Sequence, residues 1–101
     1  MVQHTNQAAV KASMFSKITD KMAETYQAKN KDYGNAFSKS YNEFGPVSAV
    51  VRMNDKMERI KSLIKQGDSE RQVKDESIQD TILDLANYSV MLLVEMQTEQ
   101  T

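Results

Sequence analysis

The sequence predicts an all-α protein, a small antiparallel helical bundle of three main helices plus a short helix or loop. Three observations carry this. Apolar residues recur at spacings of three and four in three long segments, the signature of a helix face. The three Gly and the single Pro all fall between those segments. No segment alternates apolar and polar residues as a half-buried strand would. Short connections favour antiparallel neighbours.

The first helix is expected over about residues 7–29, with Val10, Met14, Ile18 and Met22 in a row and Phe15 and Tyr26 beside them. It should end near Asn30, with Gly34 marking a turn. The stretch from Asp32 to Pro46 is looser; Phe37, Tyr41 and Phe44 suit either a short helix or an aromatic-anchored loop. Gly45-Pro46 breaks it, and Pro46 fits the first turn of the next helix, where a missing N–H costs nothing. The second long helix, about 47–66, carries Val50, Met53, Met57, Ile60 and Ile64, and Gly67 is a natural stop. The third, from near Asp75 to about Thr98, carries Ile78, Ile82, Leu85, Ser89, Leu92 and Met96. Its C-terminal half is apolar nearly all round, with Leu83, Val90, Met91 and Val94 on the remaining sides. A helix of that kind is buried on more than one side.

Length and composition set the limits. A chain of 101 residues, 40% hydrophobic and 27% charged, makes one globular domain spanning 1–101. A core that small is marginal alone, so a homo-oligomer is expected. The chain has no cysteine, which excludes disulfides, zinc–thiolate sites and cysteine nucleophiles. His4 is the sole histidine, which disfavours histidine acid–base chemistry. No apolar run approaches the roughly 20 residues that span a membrane, and no signal peptide is visible; a cytoplasmic protein without a membrane partner is expected.

The net charge of -1 conceals an asymmetry. Residues 11–65 hold eleven Lys or Arg against six Asp or Glu; residues 66–101 hold two against eight. The two halves either serve a phosphate ligand and a cation, or attract one another as helices. On the third helix Glu76, Asp80, Asp84 and Asn87 share a face, one turn from a second buried surface. Carboxylates at such an edge need a cation, a metal or donors, unless the face is simply solvated. On the second helix Arg52, Asp55 and Arg59 share a face, flanked by Lys56 and Glu58. These residues make either surface salt bridges or a cationic cradle for phosphates. Around the turn at Lys29-Asn30-Lys31-Asp32-Tyr33-Gly34, cations, an amide, a carboxylate and a phenol crowd together. Tyr33 or Phe37 either stacks on a nucleobase or anchors the core. There is no Gly-rich phosphate loop. Asp55 and Glu58 on the only basic helix, with a pI of about 5.8, make nucleic acid a poor partner.

Three stretches in order, KNKDYGNAF at 29–37, RMNDKMERI at 52–60 and DESIQDTILDLANY at 75–88, resemble the nucleotide modification associated domain 1 family over about 26–88. That resemblance implies phage or bacterial origin and a link to nucleotide metabolism or to sequestration of a defence signal. It implies little of mechanism; the charged faces themselves are read as binding a nucleotide-like ligand between the second and third helices, with Asp80 and Asp84 holding a cation or else bonding a base or ribose. Arg52, Lys56 and Arg59 would hold phosphates, with Lys29, Asn30, Asp32, Tyr33 and Asn87 contributing to the rest of the ligand. A more distant similarity is to MazG-type all-α NTP pyrophosphatases, which implies Mg²⁺ as cofactor. Asp80 and Asp84 look like the acidic pair of their second metal helix, and Asp55 and Glu58 stand where the first helix supplies acids. On that alternative the protein is an NTP pyrophosphohydrolase with Asp55, Asp80 and Asp84 as metal ligands and Glu58 or Glu76 as the base. A second alternative is a protein-interaction module whose charged faces are inter-helix salt bridges.

Overall fold

A computed structural model describes the backbone of residues 2–33, 35–66 and 71–99, and the side chains of 6–30, 35–66 and 76–98. Among the described residues the chain is all helical: α1 (Val2–Tyr33), α2 (Ala36–Phe44), α3 (Val47–Lys65) and α4 (Arg71–Glu99). The stretch that suited either a helix or a loop is the helix α2. Helices α1 and α4 begin several residues before the expected starts, because caps and frayed first turns leave little trace in apolar periodicity. None of the helices is long and apolar enough to cross a membrane, among the described residues.

The chain forms two compact units, residues 1–34 and 35–101. In the first, α1 leaves Val10, Met14, Phe15 and Ile18 exposed, while Met22 and Tyr26 are half-buried.

In the second unit, two backbone features fix how α2 enters and leaves. Asn35 precedes α2 at φ 65, a left-handed conformation that Asn tolerates better than most residues. Its carbonyl accepts from the Lys39 N–H at 3.0 Å and so opens the helix. Gly45 closes it at φ 77, where an L side chain would be strained, and donates its N–H to Tyr41 O at 2.7 Å. Pro46, at φ -58, leads directly into α3, and Ser48 donates its hydroxyl back to Gly45 O at 2.9 Å.

The core of this unit is small: Phe37 and Tyr41 from α2, Ala49, Ile60 and Leu63 from α3, and Thr81 from α4. The expected α3 row was wrong in part. Val50, Met57 and Ile64 are exposed, and the buried row is Ala49, Ile60 and Leu63, with Met53 and Lys56 half-buried between them. The spacing 49, 53, 56, 60, 63 is the 3.5-residue seam of two helices packed side by side, not a straight row of fours. Ala49 is fully buried because its methyl group lets a neighbour approach closely. Lys56 joins the row by laying its alkyl stem along the seam.

The expected α4 row also departs. Ile82 and Met96 are exposed, whereas Thr81 is buried and satisfies its hydroxyl on Ser77 O at 2.6 Å within its own helix.

Candidate functional site

Where α2, α3 and α4 meet, polar and aromatic side chains converge. From α3, Arg52 lies over two rings: its guanidinium carbon is 5.5 Å from the Phe37 ring centre and 6.0 Å from that of Tyr88. Both are within cation–π range. The rings themselves stack, centres 6.1 Å apart and planes inclined by 24°. Of the two roles the sequence left open for Phe37, a nucleobase stack or a core anchor, it fills the second, and its face also receives a cation. One turn along α3, Lys56 Nζ sits 3.4 Å from Asp84 Oδ2 on α4. Arg52 meets Tyr88 and Lys56 meets Asp84, so rising numbers on α3 meet falling numbers on α4. Toward α2, Ser38 donates to Glu95 Oε2 at 2.6 Å, a short charge-assisted bond.

The electrostatics are unequal between the two cations. Lys56 has a carboxylate partner. Arg52 has one hydrogen bond, Nη2 to Ser40 Oγ at 3.5 Å, and no carboxylate pairs with it among the described residues. At that length the bond is weak. Its other N–H groups have no acceptor among the described residues. The guanidinium is half-buried and held in place by two rings, so little conformational entropy remains to be lost on binding.

The structure therefore brings together Arg52, Lys56 and Asp84 from the residues singled out in the sequence. Asn87 is half-buried on α4, one residue before Tyr88. Asp55, Glu58 and Arg59 are exposed on α3, and Glu58 pairs with Lys61 at 3.2 Å on the outside of the helix. Glu76 and Asp80 are exposed on α4. Lys29, exposed, and Asn30, half-buried, belong to the first unit; the side chains of Asp32 and Tyr33 lie outside the described residues. No group of three or more Asp, Glu, His or Cys suited to a metal ion occurs among the described residues.

Sequence reasoning missed Tyr88, Ser38, Ser40 and Glu95 as members of this cluster. Only Tyr88 left a signal. It follows Asp84 by four residues, as Lys56 follows Arg52, the same one-turn step on both helices.

No curated protein and no solved structure matches the chain. The family described as nucleotide modification associated domain 1 matches it over residues 29–96, a span that contains every residue of the cluster from Phe37 to Glu95. The chain belongs to the nucleotide modification associated domain 1 family.

Proposed function

We propose that α2, α3 and α4 form an antiparallel bundle whose junction binds a nucleotide or nucleotide-derived small molecule. One observation carries this reading: a half-buried guanidinium, oriented by two aromatic rings, with most of its donors unspent. Arg52 takes a phosphate in its planar fork. Lys56 adds a second positive charge one turn away, sharing itself between the ligand and Asp84. Asp84 is the acceptor for a hydroxyl or amino group at the polar end of the ligand. Family membership points the same way, since the domain is associated with nucleotide modification. Two uses suit such binding in a phage: support of nucleotide metabolism, or sequestration of a nucleotide signal of host defence.

A Mg²⁺-dependent pyrophosphohydrolase would need Asp80 and Asp84 to share one cation. In that case Asp84 would share its carboxylate between the cation and Lys56, to which its Oδ2 is paired.

The test is calorimetric titration with NTPs, dNTPs and cyclic signalling nucleotides, with and without Mg²⁺, followed by product analysis. Binding without turnover is the expected result for at least one member of the panel. Arg52→Ala should weaken it by roughly ten- to a hundredfold, the value of a charged hydrogen bond of about 1.5–3 kcal/mol. Arg52→Lys should recover only part, because the ammonium keeps the charge and loses the fork. Conversion of a triphosphate to monophosphate and pyrophosphate would replace this reading with the enzyme. No heat from any nucleotide would end it.

A further inference from the structure

We propose that the outer face of α4 is the contact between two copies of this chain, with the two α4 helices antiparallel and a two-fold axis beside Ser89. The claim is independent of the ligand reading above.

Ile82, Ala86, Ser89, Leu93 and Met96 follow one another at spacings of four and three, a seam with the 3.5-residue period of paired helices. Ile82 is 49% exposed, Leu93 54% and Met96 41%, and Val90 at 48% flanks the row. At ~100° per residue, the half of the helix centred on Ile82 holds no charged residue between Gln79 and Gln97. The carboxylates within that span, Asp80, Asp84 and Glu95, fall on the opposite half. Two of them are secured there, Asp84 by Lys56 and Glu95 by Ser38.

This absence of charge selects the occupant. An acidic helix repels a second copy of itself through any face except one free of carboxylates. The other exposed apolar faces lack that property. The α1 row of Val10, Met14, Phe15 and Ile18 is interleaved with Lys11, Lys17 and Lys21. The outer α3 row of Val47, Val50, Met57 and Ile64 is broken by Asn54 and Lys61.

The sizes also fit an antiparallel pair. With the axis beside Ser89, Ile82 lies across from Met96 of the second copy and Ala86 across from Leu93, large against large at the ends and small against large nearer the centre. Ser89 is the polar residue of the seam. Its hydroxyl already donates to Leu85 O at 2.9 Å, so burying it leaves no donor unsatisfied.

The experiment uses the full chain in analytical ultracentrifugation, with the wild type, Leu93→Glu, Ser89→Cys and Ile82→Cys. The wild type should sediment with twice the 11.5 kDa chain mass. Leu93→Glu should be monomeric with unchanged helical circular dichroism, because Leu93 is half exposed within its own chain. The native chain has no cysteine, so each Cys variant reports on one position. Ser89→Cys should give a disulfide-linked dimer on mild oxidation. Ile82→Cys should not, since its two copies would lie roughly 21 Å apart along the helices. Cross-linking of both Cys variants would overturn the antiparallel arrangement. A monomeric wild type, or a Leu93→Glu protein that keeps the dimer mass, would overturn the interface.

Discussion

Along one side of α4, Thr81 is buried, Asp84 meets Lys56, Tyr88 meets Arg52 and Phe37, and Glu95 accepts from Ser38. Along the other side, Ile82, Val90, Leu93 and Met96 stand exposed. An ordinary amphipathic helix has these the other way round. Polar groups that face neighbouring helices must find partners, and here they do, through a salt bridge, ring contacts and a short hydrogen bond. These contacts tie α4 to α2 and α3 through polar and aromatic groups. The uncharged face suits a second hydrophobic surface.

Substitutions can break or sharpen this contrast. The largest effect should come from the thin apolar core behind the polar junction. Ile60→Ala removes one of its few buried side chains and should cost about 2–5 kcal/mol, read in chemical denaturation. Ala49→Leu, at the fully buried contact on α3, should cost about 1–3 kcal/mol by overpacking. Ile82→Ala removes a side chain of similar size from the exposed face. In dilute protein it should change stability by within about 0.5 kcal/mol, and its cost should rise with protein concentration as copies pair. Asp84→Asn should lower stability by no more than about 1 kcal/mol, since the Lys56–Asp84 pair is part exposed at 30% and 47%. A far larger loss would mean that the pair holds the bundle together rather than serving a ligand.

The sequence announced the long helices through apolar spacing; it also expected the C-terminal half of α4 to be buried on more than one side, whereas Val90, Leu93, Val94 and Met96 there are exposed within the chain. It misread which row of α3 turns inward. Val50, Met57 and Ile64 outrank Ala49 and Lys56 in hydropathy, but close approach favours a small residue, and a lysine stem packs as an apolar one does. Asp84 and Arg52 were legible as a carboxylate and a cation at helical spacing. Phe37 and Tyr88 under Arg52 were not, because no local pattern brings residues so distant in the chain together; the packing of three helices does.

The most direct test is thermal denaturation of the wild type, Arg52→Ala and Leu93→Glu side by side, with and without the tightest-binding nucleotide of the panel. At about a hundredfold over Kd, bound ligand adds about 2.7 kcal/mol to the folded state. Ligand should raise the Tm of the wild type and Leu93→Glu alike and raise that of Arg52→Ala much less, since a ten- to hundredfold weaker site gains only about 0.4–1.4 kcal/mol at the same concentration. An equal rise in Arg52→Ala would contradict the account and move the ligand away from the α2–α3–α4 junction.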